Sequence, residues 1–331
     1  MNFPLVFTSI FWNEEERRIR ALWRLTLQAL VMIGLVLLGI FLIAEPLTSL
    51  HKRGLFLPSA GPESYDHIIN MIIGPVLTIL VIGSVWLAAR WFDHRRLSDY
   101  GLRITRTWRR DFLFGLALGA VLMSGVFLWE CHVGWITIVG SLRTKTAGFS
   151  LSLGIFFILT KDLCVGIYEE IVSRGYLLTN LVDGFEGVSG LGYRGAVAIS
   201  ILLSSTLFGA LHAFNENSTL YSTVNLAFIG IMFAVAYVAT GELGLPIGLH
   251  ISWNLFQGLV FGLAVSGDKE VASMLAIKQS GPLAFTGGAF GPEAGLTGTA
   301  AATLGIVLIL AWALLQKRSP LSVRARAVTA S

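Results

Sequence analysis

The chain has 331 residues, of which 54% are hydrophobic and only 13% are charged. A soluble domain carries about 25% charged residues, so this composition excludes an ordinary soluble globular protein and indicates a polytopic membrane protein. The formal net charge of +4 is small, and the positions of the charges are more informative than their sum.

Eight apolar segments in chain order predict an all-α fold, a polytopic integral membrane bundle of about eight transmembrane helices. A spanning helix needs about 20 predominantly apolar residues, and several of these segments are near the lower limit of that length. Before the first segment, residues 11–23 are rich in Arg and Trp and predict an amphipathic helix at the membrane surface. The eight segments are 25–44, 71–89, 112–129, 151–168, 196–211, 224–239, 245–265 and 300–315.

Basic residues are concentrated in alternate connections between these segments. They lie before the first segment, between the second and third, and after the last, and they include Arg17, Arg18, Arg20, Arg24, Arg90, Arg95, Arg96, Arg103, Arg106, Arg109, Arg110, Lys317, Arg318, Arg324 and Arg326. The positive-inside rule therefore predicts that both termini and the arginine-rich loop are cytoplasmic, in the cytoplasmic (plasma) membrane. A basic loop beside membrane helices is far more often a topology signal in contact with anionic lipid than a nucleic-acid site. The lipid bilayer is the expected partner, and nucleic acid is not.

Glycines spaced four apart within the segments permit close helix packing. The pairs are Gly115 with Gly119, Gly244 with Gly248, and Gly258 with Gly262. Before the last segment, the glycine-rich stretch 280–299 predicts an exposed and partly disordered outer loop.

Polar residues interrupt the apolar pattern first after the fourth segment, in YEEIVSRGYLL. On a helix, Glu170 and Arg174 lie four residues apart on one face and can pair, whereas Glu169 is turned from Glu170 by about 100°. One carboxylate is therefore expected to be structural and the other free. The alternative is a helix end with solvated charges, because Asn180 and Asp183 follow soon after.

Two further polar clusters end or interrupt the fifth and seventh segments. In LFGALH, His212 follows Phe208 by one helical turn, and taken alone such a histidine is more often a satisfied residue at a helix end than a catalyst. In HISWN, His250 and Asn254 lie four apart on one helix face. A His and an Asn within a membrane helix are costly unless they face a polar cavity, which favours a functional role for this third cluster.

Together the clusters supply two histidines, one free glutamate and one asparagine. The sequence shows neither a GxSxG nucleophile elbow nor an HExxH zinc helix. The chemistry that fits best therefore needs no protein nucleophile. A carboxylate and a histidine can hold and deprotonate a water molecule, while a second histidine and an asparagine donate hydrogen bonds to the oxyanion that forms.

The three clusters resemble the motifs of a known family of membrane proteins. EEIVSRGYLL, LFGALH and HISWN are similar to the EExxxR, FxxxH and HxxxN motifs of the CPBP family, which includes CAAX prenyl endopeptidases and bacteriocin-processing or bacteriocin-immunity membrane proteins. The resemblance covers about residues 150–265, and the motifs occur in the expected order. It implies a helical intramembrane endopeptidase that hydrolyses a peptide bond of a membrane-associated peptide or protein.

The resemblance also implies roles for individual residues. Glu169 would be the general base on water, assisted by His212, and His250 with Asn254 would form the oxyanion site. Glu170, Arg174 and Phe208 would be supporting residues. We accordingly divide the chain into 1–150 (an N-terminal cytoplasmic amphipathic segment and three membrane helices), 151–265 (the catalytic helical core) and 266–331 (the outer glycine-rich loop, last membrane helix and cytoplasmic tail).

Two alternatives to a metal-free peptidase stay open at this point. Glu169, His212 and His250 could bind Zn²⁺, although Asn254 is a poor zinc ligand and a good oxyanion donor, so no cofactor is expected. The chain could instead be a non-catalytic membrane transporter, immunity protein or scaffold protein. A transporter would more often show inverted repeats, whereas here the polar clusters are confined to the second half. The substrate could be a prenylated C-terminal peptide or another peptide, and the sequence does not distinguish them.

The depths of the two histidines conflict if their segments are simple spans. His212 would then lie near the outer end of its segment and His250 near the inner end of its own. We therefore expect a short, tilted or re-entrant segment between residues 214 and 242 to bring them together.

Overall fold

The computed structural model describes residues 10–14, 16–57, 61–144 and 149–318. Within these residues, seven helices are long and apolar enough to cross a membrane, which confirms the polytopic helical membrane fold. They are α1 (Ala21–Lys52), α2 (Pro62–Trp91), α3 (Arg106–His132), α4 (Leu151–Glu186), α5 (Gly192–Phe214), α6 (Leu220–Thr240) and α8 (Leu296–Leu315), with α7 described next.

The predicted segment 245–265 differs from the other seven. It forms a shorter helix, α7 (Gly244–Asn254), followed by a π-helical stretch, Leu255–Val260. Every residue of α7 is buried, so the helix is surrounded by protein and not by lipid. It runs parallel to α3, because Gly244 lies against Trp108 near the start of α3 while Phe261 stacks on Phe127 near its end, with ring centroids 4.2 Å apart.

Glycines allow α3 and α7 to approach closely, as the four-residue spacing predicts. A Cβ atom at Gly115 would overlap the backbone of Leu245, and one at Gly248 would overlap the backbone of Phe112. Gly119 lies equally close to Leu249. With no side chains between them, the two backbones pack directly against each other, which fixes the position of α7 in the bundle.

Gly258 and Gly262, the third predicted pair, do not mediate helix contact. A Cβ atom at Gly258 would meet the side chain of Glu270, and one at Gly262 would meet the backbone of Leu275. This pair therefore makes room for the chain that follows α7.

Ion pairs join both described ends of the chain to one end of the bundle, which we call the arginine end (Arg18, Arg24, Arg95, Arg103 and Arg318). Arg18 and Arg95 both contact Asp183, at 3.1 and 2.7 Å, and Arg318 contacts Asp111 at 2.8 Å. Both described ends of the chain therefore lie at the same end of the bundle. That this end is cytoplasmic stays a prediction from the positive-inside rule.

The N-terminal residues 11–23 do not form the predicted amphipathic helix. Two short strands, β1 (Trp12–Asn13) and β2 (Arg18–Ile19), pair antiparallel, and α1 begins only at Ala21. Arg18 explains the difference: its guanidinium bonds both Glu16 and Asp183, which holds the chain in a tight turn against α4.

The opposite end of the bundle carries a β-ribbon that the sequence analysis did not predict. Strands β3 (Ile136–Thr144) and β4 (Ala272–Gln279) pair antiparallel, with Ile138 opposite Ile277 and an irregularity before Gly140. We call this the ribbon end.

The glycine-rich stretch 280–299 is exposed at residues 282–285, as its composition predicts, but most of the rest of it is buried. It forms short helical turns at Leu283–Thr286, Gly288–Phe290 and Pro292–Ala294, and the side chains of Phe290 and Glu293 are buried. Glu293 Oε2 accepts hydrogen bonds from the backbone N–H and the hydroxyl of Ser266, at 2.6 and 2.9 Å. Burial raises the pKa of Glu293 even though Ser266 donates to it. The stretch therefore packs against the bundle, and its residue Glu293 fixes the loop that follows α7.

Candidate active site

A cavity of about 560 Å³ lies between α1, α4, α5 and α7, and polar side chains line one side of it. The candidate residues Glu169, His212, His250 and Asn254 all line this single cavity, together with Phe208. Aliphatic side chains of α1 form the facing wall, including Met32, Ile33, Val36 and Leu37. The structure thus brings together the polar residues that three separate sequence motifs supply.

The two adjacent glutamates have different surroundings, as their helical spacing predicts. Glu170 is fully buried, and its Oε1 accepts a hydrogen bond from Arg174 Nη1 at 2.9 Å. Glu169 faces the cavity, and its Oε1 accepts a long hydrogen bond from Tyr168 at 3.4 Å. Within the described parts of the chain, the buried Oε2 of Glu169 has no hydrogen-bond partner. Glu170 Oε2 likewise has no partner there, so the two carboxylates differ in that Glu170 is fixed by Arg174 whereas Glu169 lines the cavity.

The helices that carry the first and third clusters widen directly beside the cavity. In α4, the α-helical part ends at Glu170 and a π-helical stretch, Ile171–Leu178, contains Arg174. In α7, the wider stretch Leu255–Val260 begins directly after Asn254. Local π-helical geometry is frequent at functional sites because it redirects side chains without ending the helix.

Glu170 also contacts the histidine of the third cluster. His250 Nδ1 lies 2.8 Å from Glu170 Oε1, and the ring stacks on Phe233 with centroids 4.8 Å apart. Since an ionised carboxylate only accepts, Nδ1 carries a proton and Nε2 is the ring nitrogen left for the cavity. Glu170 thereby orients His250, a connection that the sequence analysis did not predict.

Phe208 and Arg174 complete the packing around the two histidines. The Phe208 ring lies between them, with its centroid 4.6 Å from that of His212 and 6.3 Å from that of His250. The Arg174 guanidinium lies 4.3 Å from the centroid of the same ring and donates to the Gly230 carbonyl at 3.3 Å. The buried cation is therefore held by a carboxylate, a carbonyl and an aromatic face.

The orientation of the His212 ring follows from its own partner. Its Nδ1 lies 2.8 Å from the Phe208 carbonyl oxygen, which can only accept, so Nδ1 carries a proton and Nε2 is the ring nitrogen left for the cavity. The turn that carries His212 is tied to the loop after α7, because Asn215 donates to the Ser266 carbonyl at 2.8 Å. The position of His212 thus depends on α5 and on this loop together.

The segment between 214 and 242 is neither short nor re-entrant, because α6 is unbroken from Leu220 to Thr240. The histidines come together because α7 begins part-way along α4, level with the first turn of α3. Residues 241–243 are buried, and Leu243 lies against Gly175, which is 11 residues before the end of α4 at Glu186. At about 1.5 Å per residue, that places the start of α7 about 16 Å inside the end of α4.

The zinc alternative has no geometric support. Among the residues whose positions the structure gives, no group of three His, Cys, Asp or Glu side chains is arranged to hold a metal ion.

Sequence reasoning missed several polar residues that line the same cavity. Lys161, Asp162, Ser266 and Asp268 are at its ribbon end. Asp162 precedes Glu169 by seven residues, which on a helix returns to the same face after about two turns. That spacing was a usable signal, but the adjacent pair Lys161–Asp162 has the composition of a solvated surface.

Comparison with protein families gives one match. Residues 150–256 match the family of Rce1-like type II CAAX prenyl endopeptidases. The match includes every residue of the three motifs: Glu169, Glu170, Arg174, Phe208, His212, His250 and Asn254. It ends nine residues before the predicted boundary at 265. Searches of the curated proteins and of the solved structures found no match.

Proposed function

Because residues 150–256 form a domain of the Rce1-like type II CAAX prenyl endopeptidase family, a family of membrane peptidases, we propose that this protein hydrolyses a peptide bond of a membrane-associated peptide or protein inside its intramembrane cavity. One observation carries the proposal. The free carboxylate oxygen of Glu169 shares a single cavity with His212, His250 and Asn254. A base, a proton acceptor and two oxyanion donors are the groups that metal-free hydrolysis by water requires.

Glu169 is the proposed general base. Its Oε2 accepts a proton from a water molecule, and the resulting hydroxide attacks the scissile carbonyl carbon. In this scheme His212 assists as a neutral ring, with Nδ1–H directed to the Phe208 carbonyl and Nε2 left to accept a proton. The proton taken from water is then returned to the leaving amine as the tetrahedral intermediate breaks down, which leaves both residues in their starting state.

His250 and Asn254 are the proposed oxyanion donors. With Nδ1 bound to Glu170, a doubly protonated His250 directs Nε2–H to the cavity, and the Glu170 carboxylate compensates its positive charge. The Asn254 amide lies four residues further along the same helix face. Glu170 and Arg174 act through His250 and are positioning residues in this scheme.

The walls of the cavity suit a substrate with apolar character. Aliphatic α1 residues such as Ile33 and Leu37 face the polar group. A second cavity of about 1020 Å³ shares Val36, Val81 and Tyr168 with the first, so the two are adjacent. A peptide that enters from the membrane, with or without a lipid group, can therefore place an apolar part beside the reacting carbonyl.

The test is cleavage of fluorogenic peptides by the purified protein in detergent, with each peptide made in prenylated and unprenylated form. Glu169→Gln keeps the shape and removes the base, and we expect it to lower kcat by at least about a hundredfold. Glu45→Gln, an exposed glutamate on α1 away from the cavity, is the matched control and should cleave normally. Wild-type rates in Glu169→Gln would refute the base assignment, and absence of cleavage by wild type with every peptide would favour a non-catalytic role.

A further inference from the structure

A second buried carboxylate lies in the cavity outside the proposed catalytic group. Asp162 is 0% exposed, and within the described chain neither of its carboxylate oxygens has a hydrogen-bond partner. Lys161 Nζ is 3.9 Å from Oδ1, beyond hydrogen-bond distance, and it donates instead to Glu270. This long ion pair is made with a lysine that Glu270 already holds. A buried carboxylate is unfavourable unless it is closely paired or hydrogen-bonded, so Asp162 lacks the close partner that its position requires.

The other charged groups of the cavity do not supply that partner. The carboxylates that line it are Asp162, Glu169 and Asp268. The possible cations are Lys161, His212 and His250, and of these Lys161 is held by Glu270 and His250 by Glu170. The cavity therefore has an excess of negative charge at its ribbon end, where Asp162 lies.

We propose that Asp162 is an anionic subsite that binds a cationic group of the substrate, an ammonium or guanidinium close to the scissile bond. The cation can come from a Lys or Arg side chain or from the free amino terminus of the peptide. This inference rests on the proposed peptidase function, since it assigns the chemistry of the substrate to the same cavity. A substrate cation completes the pairing of Asp162 and is attracted by the uncompensated carboxylates around it.

The spacing along α4 sets where that cation lies. Asp162 and Glu169 are seven residues apart on one helix face, which is about 10.5 Å along the axis. An extended peptide advances about 3.3 Å per residue, so the distance corresponds to about three residues, and fewer when a long basic side chain reaches back. We therefore expect the cation within three residues of the scissile bond, on the side nearer the ribbon end.

The test compares peptides that differ only in charge. Lys, acetyl-lysine and norleucine are placed in turn at each of the three positions on either side of the scissile bond, with free and capped amino termini. Binding is measured by fluorescence anisotropy to the Glu169→Gln protein, which does not depend on turnover, and kcat/KM is measured with the otherwise wild-type protein. We expect Lys to bind about 10- to 100-fold more tightly than norleucine at one position. If the amino terminus is the cation, capping has this effect instead.

Asp162→Asn should abolish that preference, whereas Glu45→Gln, which removes an exposed carboxylate outside the cavity, should retain it. Asp162→Glu keeps the charge and should retain a preference, which separates loss of charge from loss of fold. Equal binding of all peptides to a protein with intact Asp162, or a preference that survives Asp162→Asn, would overturn the proposal. A charge preference in binding without cleavage by wild type would leave the subsite standing and count against the peptidase function.

Discussion

Substitution of Glu170 tests the buried network that orients the candidate site. Glu170→Gln leaves the Arg174 guanidinium, which is 1% exposed, without its carboxylate partner at 2.9 Å. Removing one partner of a buried ion pair costs about 3–5 kcal/mol in the free energy of unfolding. The lower end of that range applies here, since Arg174 keeps the Gly230 carbonyl and the Phe208 face, and only one of the two Glu170 oxygens is bonded. We therefore expect a loss of about 3 kcal/mol.

A double-mutant cycle separates the charge from the catalytic geometry. Arg174→Met together with Glu170→Gln removes both charges, and we expect this pair to be more stable than either single variant. Activity should stay low in the two variants that carry Glu170→Gln, because His250 Nδ1 has lost the carboxylate at 2.8 Å in both. Stability is measured as thermal unfolding in detergent, and activity as kcat for the fluorogenic peptide. Glu170→Gln that unfolds like wild type, or a double variant that recovers full activity, would refute this account.

Two other predictions follow from the packing and the ligand geometry. Gly119→Leu should destabilise the protein severely or prevent its folding, since the leucine side chain would overlap the α7 backbone. Gly125→Leu on the same helix should be tolerated, because no atom lies within 4 Å of its Cβ position. Equal stability of the two variants would contradict the close α3–α7 packing. Active protein should contain less than stoichiometric zinc by elemental analysis and should be insensitive to chelators, and stoichiometric zinc with loss of activity on chelation would overturn the metal-free mechanism.

Hydropathy predicted the long helices because a lipid-facing segment must bond its own backbone and cover it with apolar side chains. It could not separate α7 from the others. Apolar side chains are equally suited to a protein interior and to lipid. The sequence of residues 245–265 therefore resembles a transmembrane helix whether protein or lipid surrounds it. Gly244 and Gly248 carried the only local sign that backbones approach α7 closely.

The β-ribbon shows a different limit. Residues 136–144 include a run of β-branched side chains, ITIV, which is typical of a strand. Their partner, 272–279, lies more than a hundred residues away, beyond four further helices, so no local pattern indicates the pairing of Ile138 with Ile277. A short strand whose partner cannot be recognised in the sequence looks like part of a loop between two helices.

At the candidate site, sequence spacing predicted contacts within one helix and missed those between helices. The Glu170–Arg174 pair follows from a spacing of four. The contact of Glu170 with His250 depends on α4 packing on α7, where a Cβ at Gly166 would overlap Ile251. The catalytic roles assigned to the motif residues stay predictions until the variants are measured.

The depth at which α7 begins decides whether three helices can share one site. That depth is set at the arginine end, where the Leu243 N–H donates to the Gly101 carbonyl at 2.9 Å. Gly101 has a φ of +85°, and a Cβ there would lie 3.0 Å from the Leu243 nitrogen, so both its conformation and its space favour glycine. A shift of α7 by one turn is about 5.4 Å, which would separate His250 from Glu170. The position of His250 relative to Glu170 therefore depends on a buried turn, at Leu243 and Gly101, that contains no candidate catalytic residue.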